Sequence, residues 1–342
     1  MSDTTNNVGE SGRFEAPPLS APAALATRAE FLPASATRVL MLVNRNAGAR
    51  GGQGIAEQVA AAVTQSGFDV TRVDNYADLA GVSAELASEG SLRAVLAIGG
   101  DGTAGIALNA TPDGTPLLVV PAGTENLLAK YLRTGARPRA VGGLLREGVT
   151  VRLDAGVADG RLFALMISSG FDAEVVRRVH SQRSGNITHL AYAQPILSAV
   201  QSYDYPPLHA EWDDTDGQRH ESVGRWLFGV NLPRYAQGLP IVPEAQGDDG
   251  LLDLCLFERG GTAAGLWYLC HVLRRRRHRL SSVTSARLPS FRIHSPAADV
   301  AYQLDGDPGG VLPVDVSAAP GRMTLLVSVQ TARRLGFEPP PA

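Results

Sequence analysis

Two side-chain types that often mark function are scarce in this chain of 342 residues. It contains two cysteines, Cys255 and Cys270, and a single lysine, Lys130. Both cysteines lie in apolar segments, so we expect buried, reduced thiols and no disulfide, as in a reducing cytosol. No Cys/His cluster has the spacing of a zinc site. Arginine must therefore supply nearly all of the positive charge.

Long apolar runs and an excess of positive charge are also absent. No apolar run reaches the roughly 18 residues that a membrane span needs, and the N-terminus lacks the pattern of a secretory signal. The net charge of -3 and the pI near 6.2 argue against a general nucleic-acid binder. We therefore expect a cytoplasmic protein with no nucleic-acid partner.

The order of the predicted elements indicates two domains, for which the length is sufficient. Residues 1–36 are rich in small and polar residues and predict a disordered tail. In residues 37–153, apolar strands alternate with helices, which is typical of a parallel sheet covered on both faces. Residues 154–335 contain successive strand-like runs and indicate a β-rich domain whose last segment packs back on the first. Residues 336–342 predict a loose tail.

Three turns of the first domain each follow a predicted strand, at the sheet edge where ligands bind in open parallel sheets. They are residues 44–48, 99–103 and 121–126. Their glycines let backbone N–H groups approach a phosphate, and a following helix adds partial positive charge. The hydroxyls of Thr103 and Thr124 can donate to phosphate or ribose oxygens. One glycine pair alone indicates only a tight turn, but three such turns predict a nucleotide-phosphate site. Neither the P-loop nor the dinucleotide fingerprint is present.

Three aspartates next to glycines are candidates for chemistry. Asp101, inside a phosphate loop, would repel phosphates unless a divalent cation lay between them, or it could act as an acid or base. Asp305 and Asp307 are two residues apart, so in an extended strand they would face the same way. Repulsion between two such carboxylates raises the pKa of one of them, which suits a base, or the two share a cation. The alternative is a polar hairpin turn, because Asp-Gly is a common turn pair.

At residues 99–103 the sequence resembles the diacylglycerol kinase catalytic domain family, through its Gly-Gly-Asp-Gly-Thr motif. This family includes bacterial lipid kinases, sphingosine kinases and ceramide kinases, and it is distantly related to NAD kinases. Five further segments resemble family motifs in the same order, so that the resemblance spans about residues 38–330. They are residues 44–48, 121–126, 170–173, 243–253 and 303–308. This chain departs from the family pattern at Arg45, Ala104-Gly105, Leu127 and Asp307.

The resemblance implies an N-terminal Rossmann-like α/β domain, a C-terminal β-sandwich-like domain and ATP in the cleft between them. It implies transfer of the γ-phosphoryl group to a diacylglycerol- or sphingoid-like lipid alcohol. Asp307 would accept the proton, in place of the family's glutamate, with Asp305 as the alternative. Asp101 would serve the phosphates through Mg²⁺. A separate structural Mg²⁺ would be held by Asp249, Gln246 and Leu251. The implied nucleotide-binding residues are Asn44, Arg45, Asn46, Ala47, Gly48, Gly99, Gly100, Asp101, Gly102, Thr103, Thr124 and Asn126.

A lipid kinase without a span must dock on a membrane. Residues 266–279 place aromatic and aliphatic side chains next to an arginine run, which suits an anionic membrane surface. A buried helix with a solvated charged end is the alternative. Residues 188–201 are either an acyl-chain pocket or a core helix. An NAD kinase-related small-molecule kinase, a non-catalytic nucleotide- or lipid-binding protein and a homodimeric state all remain open.

Overall fold

The computed structural model describes residues 28–44, 52–73, 75–181, 202–214, 216–234 and 238–340. Its first half is built on four parallel strands, in the spatial order β5-β4-β2-β3. Every residue of β4 is buried, as expected of a central strand covered on both faces. The strands are β2 (Arg38–Val43), β3 (Asp69–Val73), β4 (Leu92–Gly99) and β5 (Leu117–Pro121).

Five helices of the described chain cover this sheet, and alternate strand residues point to opposite faces. Val39 and Met41 of β2 belong to one apolar cluster with residues of α1 and α5, whereas Leu40 and Leu42 join a second cluster with residues of α2, α3 and α4. The predicted two-faced α/β sheet is therefore confirmed. The helices are α1 (Gly52–Gln65), α2 (Tyr76–Ser88), α3 (Asp101–Ala110), α4 (Leu127–Leu132) and α5 (Pro138–Glu147).

The second half is a β-sandwich, as predicted. One layer is an antiparallel sheet in the order β13-β12-β11-β8-β15-β16, and the other is β10-β9-β14, which continues into the large sheet through β17. Ile167 and Leu254 of the first layer share one buried cluster with Ala210 and Phe291 of the second. The strands are β6 (Val149–Ala158), β7 (Arg161–Phe163), β8 (Met166–Ser169), β9 (Leu208–Asp213), β10 (Arg219–Gly224), β11 (Trp226–Val230), β12 (Leu252–Phe257), β13 (Val283–Leu288), β14 (Ser290–His294), β15 (Ala301–Leu304), β16 (Asp307–Val311) and β17 (Val314–Val327).

Strand β17 joins the two halves. It pairs antiparallel with β14 and β6, and it pairs in parallel with β5 through Leu325 and Leu117. The large sheet therefore runs without interruption from the sandwich to the parallel α/β half.

Three further helices belong to the second half: α6 (Phe171–Ser181), α7 (Thr262–Leu273) and α8 (Val329–Arg334). Residues 266–279 do not form one helix: α7 ends at Leu273, and a separate 3₁₀ turn follows at Arg277–Arg279. The segment predicted as pocket or core helix, residues 188–201, lies outside the described residues. Within the described ranges, no helix combines the length and the apolar character needed to cross a bilayer.

The ends of the described chain differ from prediction. Residues 28–36 were assigned to the disordered tail, but β1 (Glu30–Phe31) pairs with β6, and Ala29 is buried. The Ala29 N–H donates to the Glu338 carbonyl at 3.0 Å, and Phe337 is also buried, so residues 337 and 338 are not loose. Apolar burial against β6 and α8 holds both segments. Cys255 is buried as expected, but Cys270 is exposed because it lies on the outer face of α7.

Candidate active site

The glycine loop (Gly99–Thr103) is the turn between the end of β4 and the first turn of α3. It contacts the turn after β5 through bare backbone: a Cβ built at Gly123 would lie 2.5 Å from the Gly100 Cα. A Cβ at Gly99 would lie 2.1 Å from Thr103 Oγ1. These distances are shorter than any real carbon contact, so both positions require glycine. The two turns can approach this closely because Gly123 has no side chain where it meets Gly100.

Two helices, α3 and α4, begin at these touching turns. The first turn of a helix carries partial positive charge, so the start of α3 can attract an anion, whereas the first N–H groups of α4 already donate to Asp101. Thr103 Oγ1 is buried and has no hydrogen-bond partner among the described residues, and Thr124 is exposed at the rim. These features suit a phosphate group.

Asp101 does not point freely into this edge. Its Oδ2 accepts the Leu127 N–H at 2.9 Å and its Oδ1 accepts the Leu128 N–H at 3.0 Å, so the carboxylate caps α4. Burial raises its pKa, and these two hydrogen bonds oppose the rise. Asp101 thus ties the two turns together. Its service to phosphates through Mg²⁺ stays a prediction.

Asn126 and Asn44 also have local partners. The Asn126 side chain accepts the Gly123 N–H at 2.9 Å and donates to the Gly123 carbonyl at 2.6 Å, which holds the second turn in place. The Asn44 N–H donates to the Ile98 carbonyl at 3.0 Å, which puts the end of β2 beside the end of β4. The other predicted nucleotide residues of this turn, Arg45, Asn46, Ala47 and Gly48, lie outside the described residues.

The aspartate hairpin (residues 304–307) joins β15 to β16. Asp305 and Gly306 have φ of +53° and +90°, as in a two-residue turn, so Asp305 and Asp307 do not share one face of an extended strand. Asp305 turns inward and accepts three backbone N–H groups. They come from Ala164 at 2.6 Å, Leu165 at 2.8 Å and Met166 at 2.9 Å.

The environment of Asp305 shifts its pKa. Burial raises it to about 6; the three hydrogen bonds oppose that rise, and the negative charge of Asp101 adds to it. Asp305 therefore holds the chain before β8 in place, and its oxygens are used for that purpose.

Asp307, by contrast, is half-exposed and faces the glycine loop. A Cβ built at Gly102, in the first turn of α3, would lie 2.9 Å from Asp307 Oδ2. The other oxygen, Oδ1, lies 3.5 Å from Nε2 of His180 at the end of α6. Residues from both halves thus meet at one carboxylate. The sequence motifs did not indicate His180. No local pattern shows that this histidine contacts Asp307, which lies more than 100 residues later in the chain.

A buried polar chain positions the hairpin. The Gly306 N–H donates to Gln303 Oε1 at 2.7 Å, and Gln303 Nε2 contacts Ser168 Oγ at 2.5 Å. The Ser168 hydroxyl in turn donates to Asp172 in the first turn of α6. Two of the predicted motifs, at residues 170–173 and 303–308, are therefore linked by hydrogen bonds.

The predicted structural Mg²⁺ site has a different cation beside it. Asp249 Oδ1 accepts the Leu251 N–H at 2.9 Å, and Asp249 Oδ2 pairs with the Arg287 guanidinium. Gln246 is exposed. Arg287 is directly opposite Asp253 in the β12–β13 pair, where burial raises the pKa of Asp253 to about 6. In this arrangement Arg287 neutralises Asp249, and a structural Mg²⁺ held by Asp249, Gln246 and Leu251 stays a prediction.

Comparison with known proteins agrees with this geometry. The chain is 28% identical over 244 residues to a diacylglycerol kinase of Mycobacterium tuberculosis, covering 68% of this chain and 76% of that protein. It is 30% identical over 169 residues to a probable YegS-like lipid kinase of Pseudomonas fluorescens, covering 48% of this chain and 53% of the relative. A putative diacylglycerol kinase from Bacillus anthracis has the same fold, with a TM-score of 0.66 and 19% identity over 86% of this chain and 98% of that one.

Two family models match adjacent parts of the chain. Residues 38–158 match the diacylglycerol kinase catalytic domain, and residues 165–327 match the YegS C-terminal NAD kinase β-sandwich-like domain. The boundary between them falls between β6 and β8, close to the predicted change from α/β to β. With both domains present in order, the chain belongs to the diacylglycerol kinase catalytic domain family.

Proposed function

We propose that this protein is an ATP-dependent lipid kinase that phosphorylates a diacylglycerol- or sphingoid-like alcohol. The observation that carries the proposal is the Asp307 carboxylate beside Gly102 of the glycine loop. The relatives from Mycobacterium tuberculosis and Staphylococcus epidermidis, both named diacylglycerol kinase, support the same activity.

The glycine loop and the start of α3 would hold the phosphates of ATP. Gly100 and Gly102 leave the backbone bare there, and Thr103 and Thr124 offer hydroxyls. Phosphoryl transfer requires mainly positioning and charge neutralisation. Mg²⁺ would arrive with ATP as part of the substrate and would neutralise phosphate charge.

Asp307 would act as the general base. It removes the proton of the lipid hydroxyl as the oxygen bonds to the γ-phosphorus, and the bond to ADP breaks. The products are a lipid phosphomonoester, ADP and protonated Asp307. His180 would hold Asp307 toward the glycine loop through the 3.5 Å contact. Because Asp307 is one methylene shorter than the family's glutamate, this contact would help to keep its carboxylate close to the glycine loop.

The lipid would be reached through the outer face of α7. Leu266, Leu269 and Leu273 are 61%, 38% and 58% exposed and share one side of the helix, next to Trp267. Tyr268 and Val272 face the core. Three exposed arginines, Arg274 to Arg276, follow this apolar face, whereas Arg277 is buried and pairs with Glu244. An apolar face with adjacent positive charge suits an anionic bilayer.

A kinase assay with labelled ATP and Mg²⁺ tests the activity. The panel contains diacylglycerol, a sphingoid base, ceramide and NAD. We expect label in a diacylglycerol or sphingoid lipid. Label in NAD alone would favour the small-molecule kinase, and ATP binding without any labelled product would favour a non-catalytic binding protein.

Sedimentation with vesicles containing phosphatidylserine tests the membrane surface. We expect R274Q/R275Q/R276Q to reduce binding strongly. R133Q/R137Q/R139Q removes the same charge from exposed positions elsewhere and should bind as the wild type does. Equal binding by both variants would contradict the role of α7.

A further inference from the structure

The far edge of the large sheet carries a cluster of imidazoles and carboxylates that lipid phosphorylation does not use. His209 on β9 lies directly opposite His294 on β14, and Glu211 on β9 lies directly opposite Glu221 on β10. Because alternate strand residues share a face, all four lie on the outer face, while Ala210 and its neighbours pack inward. We refer to His209, Glu211, Glu221 and His294 as the imidazole cluster.

The donor atoms of this cluster converge. One atom from each of His209, Glu221 and His294 lies within 4.8 Å of the other two. The His209 Nδ1 contacts the Glu221 carboxylate, and the His294 Nε2 lies 3.0 Å from Glu211 Oε1. The two imidazole rings stack with centroids 4.7 Å apart and planes at 21°. Two nitrogens and two carboxylates thus share a small volume on three adjacent strands.

We propose that the imidazole cluster binds a divalent transition-metal ion, with Zn²⁺ as the best match. His209, His294 and Glu221 would supply three ligands. Glu211, which Arg219 contacts at 2.8 Å, would hold His294 in place and not bind the ion. Zinc takes nitrogen and carboxylate ligands at about 2.0–2.2 Å, commonly four in number. The candidate ligand atoms lie within 4.8 Å of one another, on strands already paired in register. Mg²⁺ prefers oxygen ligands and is not expected to bind here.

The competing explanation is a pair of ordinary histidine–carboxylate contacts. The same hairpin supplies a matched control: His220 Nε2 lies 2.8 Å from Asp214 Oδ2 and its ring stacks on Trp212. That pair is similarly exposed and has a carboxylate, but it has no second imidazole. It should therefore bind a transition metal far more weakly than the imidazole cluster.

A bound ion would link three strands at the end of the large sheet. In the described topology β10 is the last strand of this edge and pairs there with β9 alone. The ion would fasten β10 to β14 across β9. The site is on the other layer of the sandwich from Asp307, so its occupancy should leave the chemical step unchanged.

Calorimetry on the full-length protein, stripped with EDTA and dialysed, tests the proposal with ZnCl₂ and with MgCl₂. We expect one Zn²⁺ per chain at this site and no Mg²⁺ there. H209Q and H294Q should each weaken that binding at least tenfold, whereas H220Q should not. Unchanged zinc binding in H209Q and H294Q, or an equal loss in H220Q, would overturn the proposal.

Thermal unfolding guards against misfolded variants. Zn²⁺ should raise the melting temperature of the wild type and of H220Q, but not that of H209Q or H294Q. Should either glutamine variant lose its circular dichroism spectrum, the single variant E221Q is used instead, with the same expectation. A zinc-induced rise that persists in all cluster variants would contradict the proposed site.

Discussion

The glycine loop and the aspartate hairpin each contain an Asp-Gly pair whose aspartate accepts backbone N–H groups. Only the hairpin has a second aspartate, Asp307, and its surroundings differ. Asp101 and Asp305 turn inward and accept two and three backbone N–H groups, respectively. Asp307 stays half-exposed between Gly102 and His180. A carboxylate in a prominent motif can therefore serve to hold backbone segments together, while the carboxylate that we propose as the base lies beside it.

The largest effect should come from Asp307. D307N removes the proposed base and should lower kcat by about 10²–10⁴-fold, the usual contribution of general base catalysis. D307E restores the acid type of the family and should keep much of the activity. Initial rates and ATP binding by calorimetry check this, with ATP affinity expected to be unchanged. A D307N variant of near wild-type rate would assign the base elsewhere.

The next effect should be on folding at Asp305. D305A leaves three backbone N–H groups without their acceptor, and such buried donors cost about 1–3 kcal/mol each. We expect the free energy of unfolding to fall by about 3 kcal/mol or more in urea titrations at pH 7. D307A serves as the control and should change that quantity by well under half as much.

Asp101 should show a smaller loss of the same kind. D101A removes the acceptor for two N–H groups at the start of α4, and loss of a helix cap costs about 0.5–2 kcal/mol. Urea titration measures it beside D305A. A loss larger than that of D305A would mean that Asp101 does more than cap α4.

The stability should also depend on pH. Burial raises the pKa of folded Asp305 to about 6, above its value of about 3.9 in an unfolded chain. Between about pH 4 and 6 the folded state therefore binds more protons, so its stability is greatest at the acid end and falls as pH rises. D305N should flatten this slope in urea titrations across the window. Asp253 contributes in the same direction, so part of the slope should persist.

The parallel sheet was predictable because β2, β4 and β5 contain continuous apolar runs, of which β4 is the clearest. The sequence does not indicate three strands of the second half, β10, β13 and β16. β10 is polar because one of its sides faces solvent, and β16 contains Pro308, Gly309 and Gly310, which indicate a turn. Each is a strand because it pairs with its hairpin neighbour, β9 for β10 and β15 for β16, and not because of an apolar pattern of its own.

The site was predictable in its glycine turns and less so in its aspartates. The spacing of Asp305 and Asp307 could not show that one turns inward, because that depends on three N–H groups about 140 residues earlier in the chain. The same holds for Asp101, whose orientation is set by α4. His180 reaches Asp307 only through the packing of α6 against β16, which no local pattern encodes.

The pairing of β17 with β5 bears on the order in which the protein is made. The parallel sheet of the first half is not complete when residues 37–153 have been synthesised, because β5 lacks its neighbour β17 until residues 314–327 follow. An early fragment would expose the edge of β5, and exposed edges of this kind promote strand pairing between chains. We therefore expect the first half to complete its sheet only after β17, the last strand of the described chain, has been synthesised.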